Sequence, residues 1–156
     1  MAKTIRMMGM MQENGLSKQE MLLLEANAKA LYKKHFGNKY RIMPIWVVIP
    51  RGQAFLAAQA STSTTVTLPV DDGTDDKMRH AFMSEFCEMW MNVTQCHINE
   101  IILTVPDMSV SDGMVAAQLE RINPKIKKLQ MARMLLKMFK SKLINGYFSM
   151  NMNLNQ

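Results

Sequence analysis

Val66-Thr67-Leu68-Pro69-Val70-Asp71-Asp72-Gly73-Thr74 places a strand, a turn and a helix start in nine consecutive residues. Val66 to Val70 reads as a strand, and Asp71-Asp72-Gly73-Thr74 is a strong turn signal. Thr74 is the expected N-cap, with Asp75 and Asp76 where the helix dipole favours anions. Met78, Phe82, Phe86, Met89 and Val93 then recur at spacings of four, four, three and four, which predicts an amphipathic helix. Beyond Thr94 and Gln95, Ile98 to Val105 carries Ile101, Ile102, Leu103 and Val105 and reads as a second strand, closed by Pro106-Asp107.

The same order occurs upstream. Lys3 to Met10 reads as a strand, and Ser17-Lys18-Gln19-Glu20 is a capping box opening a helix to about His35. Met21, Leu24, Ala28 and Leu31 form its stripe, and Gly37 is its stop. Tyr40 to Ile49 is too continuously apolar for a solvent-facing strand and reads as a buried one, with Pro44 marking a bulge, an edge or a start. Pro50-Arg51-Gly52-Gln53 turns the chain. Two strand–helix–strand crossovers require parallel pairing. The fold class is therefore α/β, an α+β sandwich, with a mixed four-stranded sheet over residues 1–107 and both helices on one face.

Residues 108–156 form a different piece. A short helix is expected over Ser111 to Arg121, and Asn123-Pro124 opens a longer one to about Ile144. Its expected packing stripe is Leu129, Ala132, Leu136, Phe139 and Leu143, beside a basic stripe of Arg133, Lys137 and Lys140. The Asn-rich end, Asn145 to Gln156, is expected to fray. The formal net charge of +6 belongs to this piece. Eight of the 19 basic residues, and none of the 13 acidic ones, lie from Arg121 onward, which leaves the first 120 residues at −2.

At 156 residues with 48% hydrophobic content the chain can bury a core and is not wholly disordered. No run of eighteen apolar residues is present, so no membrane-spanning helix is expected. The first residues lack a signal-peptide apolar stretch, and two cysteines make no disulfide framework, so a reducing, cytoplasmic setting is expected.

Val66 to Pro69, the Asp71-Asp72-Gly73 turn, the helix from Glu85 to Val93 and Asn99-Glu100-Ile101-Ile102-Leu103-Thr104-Val105 resemble the tautomerase superfamily, which includes 4-oxalocrotonate tautomerase and macrophage migration inhibitory factor. Trp46-Val47-Val48-Ile49-Pro50-Arg51-Gly52-Gln53 carries the likeness in the first half. The resemblance implies a doubled βαβ fold, a symmetric homotrimer and a site at the mouth between subunits. It also implies acid–base chemistry by an amino-terminal proline on a keto or enol acid whose carboxylate is held by arginines. Here residue 2 is Ala2, so that proline is missing. Pro44 and Pro69 do not replace it, because their nitrogens are non-basic amides. The α-amine of Ala2 is the remaining candidate base, with an unperturbed pKa of about 7.7–8.0.

For the carboxylate the candidates are Arg41 and Arg51, with Arg6 a third, since a guanidinium holds a carboxylate bidentately. Trp46 is a candidate apolar wall, although a core position is the commoner role for such a residue. Cys87, Cys96, His97 and His80 lie near one another in sequence, but no zinc-type spacing links them, and Gly-rich phosphate loops are absent. No metal or cofactor is expected. The basic tail has three readings: contact with nucleic acid, contact with an anionic membrane surface, or packing of its stripe on the body or on a neighbouring subunit. The methionine cluster Met7, Met8, Met10 and Met11 reads as core or interface packing.

Overall fold

A computed structural model describes residues 3–56 and 58–151. The first unit is β1 (Lys3–Gln12), α1 (Lys18–Phe36) and β2 (Tyr40–Ile49), with β1 and β2 parallel and in register from Lys3↔Tyr40 to Gln12↔Ile49. The capping box forms as expected: the Ser17 hydroxyl accepts from the Glu20 N–H at 3.2 Å, and Glu20 Oε2 accepts from the Ser17 N–H at 2.6 Å. β2 runs through Pro44 without a break, paired there with Met7.

A small hairpin, β3 (Phe55–Leu56) with β4 (Gln59–Ala60), precedes the second unit of β5 (Thr64–Thr67), α2 (Asp76–Thr94) and β6 (Ile101–Thr104). β5 is parallel to β6 and antiparallel to β1, so the two crossover units share one mixed sheet. Two local expectations are corrected. The N-cap of α2 is Asp75, whose carboxylate accepts from the Lys77 and Met78 N–H groups, while Thr74 spends its hydroxyl on the Asp71 carbonyl inside the turn. Ile98–Glu100 is a 3₁₀ turn rather than strand, because the His97 ring and the Glu100 carboxylate cap it reciprocally and draw those residues out of the ladder.

One core lies between the sheet and its two helices. Met7, Trp46, Val66 and Leu68 meet Leu24 and Tyr32 of α1 and Phe82, Phe86 and Trp90 of α2. The predicted stripe of α2 is rotated: Phe82, Phe86 and Trp90 are its buried residues, and Met78 is exposed. The large aromatic surfaces claim the interior, where Phe86 and Trp90 stack at 6.0 Å.

The tail forms α3 (Met108–Glu120), α4 (Pro124–Asn145) and β7 (Phe148–Asn151). Asn123 caps α4 through the Lys125 N–H at 3.0 Å. The predicted packing stripe of α4 is overturned. Leu136 and Leu143 are 72% and 87% exposed, whereas Met138, on the opposite side of the helix, is 6% exposed. The expectation of a frayed end is also corrected over Phe148–Asn151, which joins the sheet parallel to β2. The expected four strands thus gain a fifth, in the order β6-β5-β1-β2-β7.

Gly9 shows how tightly the first unit is assembled. A Cβ there would sit 2.7 Å from the Trp46 ring, which has no room to retreat in the core. Gly9→Ala is expected to cost about 1–3 kcal/mol through overpacking. Gly113→Ala, in α3 with nothing within 4 Å, is expected to gain about 0.5–1 kcal/mol. Urea midpoints of the two variants moving in opposite directions would confirm the contrast.

Candidate functional site

β7 pairs with β2 only from Ile45 onward, so the edge of β2 from Tyr40 to Pro44 is left without a neighbouring strand on that side among the described residues. A half-open concavity of about 600 Å³ lies along this stretch. Its floor includes Arg41, Ile42, Met43 and Pro44, with Thr4 of β1 beside them. Glu25, Lys29, Tyr32 and Lys33 line a second wall. Their spacing of four, three and one residues puts them on one face of α1. Lys142 and Phe148 come from the tail.

The concavity is positively charged. It gathers Lys29, Lys33, Arg41 and Lys142 against one described carboxylate, Glu25. Glu25 is buried and already occupied: Oε1 accepts from Trp46 Nε1 at 3.1 Å, and Oε2 lies 3.5 Å from Lys29. Arg41 and Lys33 form no ion pair among the described residues. An anion would therefore enter a site whose own acid is already compensated.

Tyr32 stands at the back of this wall, its hydroxyl donating to the Pro69 carbonyl at 3.2 Å. Burial, and then the charges of Asp71 and Tyr40, push its pKa well above the ordinary tyrosine range, so the hydroxyl stays protonated. At the rim, Asp71 pairs with Lys39 at 2.9 Å and accepts a short hydrogen bond from the Tyr40 hydroxyl. Hydrogen bonds from Lys39 and then Tyr40 hold the Asp71 carboxyl below its ordinary value. Asp72 is lowered likewise, chiefly by the Ser109 N–H at 2.9 Å. Arg79 pins the start of α2 to the end of β6, donating to Asp107 Oδ1 at 2.6 Å and to the Thr74 and Val105 carbonyls.

The sequence candidates separate here. Ala2 lies outside the described residues, but Lys3 beside it pairs in register with Tyr40, and Thr4 with Arg41. Arg41 is thus at the end of the sheet where β1 begins. Arg51 is in the exposed turn beyond the opposite end of β2, ten positions away, or roughly 33 Å of strand. Within one chain the two arginines cannot grip the same small molecule. Arg6 is exposed on β1, opposite Met43 in register. Trp46, a candidate pocket wall for which a core position is the favoured reading, is a core residue with 0% exposure and does not line the concavity. Lys29, Lys33 and Lys142 were missed. The first two carry an i, i+4 signal on α1, but Lys142 has none, because its placement depends on β7 pairing.

Among the described residues no group of three or more His, Cys, Asp or Glu side chains is placed to hold a metal ion. Burial, with Cys96 contributing, raises the Cys87 thiol pKa, the wrong direction for a thiolate ligand. No described helix is long and apolar enough to cross a membrane.

No protein-family model matches the sequence, and no functionally curated protein matches it. Solved structures do match. Native Ps01740 superposes with a TM-score of 0.62 at 19% identity, over 67% of this chain and 94% of that one. N1, a member of the cis-3-chloroacrylic acid dehalogenase family, superposes at 0.63 and 8% identity, over 80% and 96%. A fused 4-OT wild-type symmetric trimer gives 0.57 at 14% identity, over 66% and 86%. The fold is that of the tautomerase superfamily, as the strand–turn–helix likeness around Asp71 implied.

The Asp71 pairing has a pH signature. A carboxyl whose folded pKa is depressed stabilises the fold above its unfolded pKa, and that contribution is lost as pH falls through the folded value. Wild-type stability is expected to drop more steeply than that of Asp71→Asn as pH falls from about 5 through the ordinary carboxylate range, the two curves converging only below the depressed folded value. Urea midpoints measured across that range check this; parallel curves would show that the pairing contributes nothing.

Proposed function

We propose that this protein is a tautomerase-like isomerase that interconverts the keto and enol forms of a small carboxylic acid. The observation that carries the reading is the cation-lined concavity at the end of the sheet where β1 begins, with Arg41 in register beside Thr4. Arg41 is the proposed carboxylate anchor, because its planar fork matches two carboxylate oxygens. Lys33 adds positive potential where negative charge develops on the enolate oxygen.

The α-amine of Ala2 is the proposed acid–base group. In its neutral form it takes a proton from the carbon next to the keto group, leaving an enolate. The ammonium so formed gives the proton to the oxygen, completing the enol and restoring the amine. A primary amine with an ordinary pKa of about 7.7–8.0 is partly neutral near pH 7 and can perform both steps. The proline of the resembled family, absent here, would do so with a secondary amine.

A symmetric assembly accounts for Arg51. The fused 4-OT neighbour is a trimer. In a homotrimer of this chain, Arg51 would serve the site of an adjoining subunit, which its own chain places out of reach.

Enol–keto conversion of phenylpyruvate or 2-hydroxymuconate tests the reading, after intact mass spectrometry has established that Ala2 carries a free amine. Arg41→Ala is expected to lower kcat/KM by about 10–100-fold, the worth of a charged hydrogen-bonded contact. Ala2→Pro, behind a removable methionine, is expected to raise activity. Absence of turnover in both the wild type and Ala2→Pro would reject it.

One observation favours a second, non-catalytic reading. The outward face of α4 exposes Leu129, Leu136, Phe139 and Leu143, flanked by Lys128, Arg133 and Lys140. A basic amphipathic helix of this kind lies on anionic lipid surfaces. Sedimentation with phosphatidylserine-containing vesicles should then carry the protein down at low salt but not high. Leu136→Glu with Leu143→Glu should abolish it; equal recovery of wild type and variant in the pellet excludes this reading.

A further inference from the structure

The concavity is built partly from residues outside the double βαβ core. Lys142 lies in the last turn of α4 and Phe148 opens β7, yet both line the same space as Arg41 and Lys33. We propose that the C-terminal extension completes the anion site, with Lys142 as a second cation for the bound acid and Phe148 as an apolar wall. The inference rests on the concavity being the substrate site.

Three features hold Lys142 in place. First, β7 pairs with β2 from Ile45, so Phe148 enters the sheet immediately after the open edge at Pro44. Second, the α4–β7 turn is tight. Gly146, at φ +86°, donates its N–H to the Lys142 carbonyl at 3.0 Å, in a backbone region that other residues rarely adopt. Third, Ser141 locks the returning chain to the helix. Its hydroxyl donates to the Tyr147 carbonyl at 3.1 Å and lies 2.6 Å from the Ser149 hydroxyl. The ammonium itself rests 5.4 Å from the centroid of the Phe148 ring and makes a short hydrogen bond to the Gly146 carbonyl.

The simpler account of Lys142 is a cation at a helix C-terminus, satisfying a terminal carbonyl. That account uses one of its three N–H donors. It does not use the position of the ammonium on the wall of a concavity that also holds Arg41 and Lys33. Nor does Lys142 form an ion pair with any described acidic side chain. An ammonium oriented by an aromatic face, with donors left over, is suited to a carboxylate or enolate oxygen.

Lys142→Gln separates the two roles, because an amide still donates to the Gly146 carbonyl but carries no charge. Binding of phenylpyruvate is measured by calorimetry on the full chain, with Lys142→Gln, Lys142→Arg and Arg41→Ala in parallel. Lys142→Gln is expected to raise Kd and KM about tenfold with kcat changed less than about twofold and Tm unchanged, and Lys142→Arg to recover most of the affinity. If Arg41→Ala weakens binding but Lys142→Gln binds like the wild type, the role of the extension is overturned while the substrate site stands. If the wild type binds no phenylpyruvate, the site reading fails, and this inference fails with it.

Discussion

The indole of Trp46 is the contact on which the rest of the first unit depends. It lies across Gly9 of the neighbouring strand, where any Cβ would collide with it, and its ring centroid is 6.1 Å from that of Trp90 on α2. Its N–H, which cannot be left unpaired in a core, donates to Glu25 of α1. One side chain therefore ties β1, β2, α1 and α2 together. Glu25 is in turn held beside Lys29 one helical turn on, which makes the buried carboxylate tolerable, while its bond from Trp46 sets the rotation of α1 against the sheet. That rotation turns Lys33 toward the open edge of β2.

The site follows from an unfinished sheet edge. β7 pairs with Ile45 to Val48 and, among the described residues, leaves Tyr40 to Pro44 of β2 uncovered on that side. The uncovered strand, the polar face of α1 and the end of α4 enclose a space whose only described acid is already paired. Positive potential there is not a consequence of net charge, since the first 120 residues sum to −2. It arises because folding gathers four cations from three separate segments. The tail, which looked like a basic appendage, contributes both a strand and part of that wall.

Most of the framework was legible in the residues. The capping box at Ser17, the Asn123-Pro124 start and the continuous apolar run from Tyr40 to Ile49 are local signals, and each set its element. The misreadings occurred where two local options competed. Thr74 and Asp75 are both acceptable caps, and the turn claimed the Thr74 hydroxyl first. On α4 both the leucine stripe and the methionine stripe have helical periodicity, and periodicity alone cannot say which one meets the protein. Of the residues that line the concavity, Arg41 is the one that the sequence marks as a carboxylate-binding candidate. For Trp46 the sequence favours the core without excluding the pocket, because an apolar strand residue reads much the same in either place, and packing decides for the core.

What the sequence determined by itself was the order of elements, since caps, turns and hydrophobic periods act over a few residues. Two crossovers in that order imply two parallel pairings, and hence a doubled βαβ fold. What only tertiary structure decided was which distant side chains share a space. Arg41 and Arg51 look equivalent in a linear reading, yet a ten-residue strand holds them apart at opposite ends of the sheet. Lys33, Arg41 and Lys142 look unrelated and line one concavity. The physical reason is that strand register and helix rotation are set by burial of the core aromatics, a collective property of the packed chain that no short window contains.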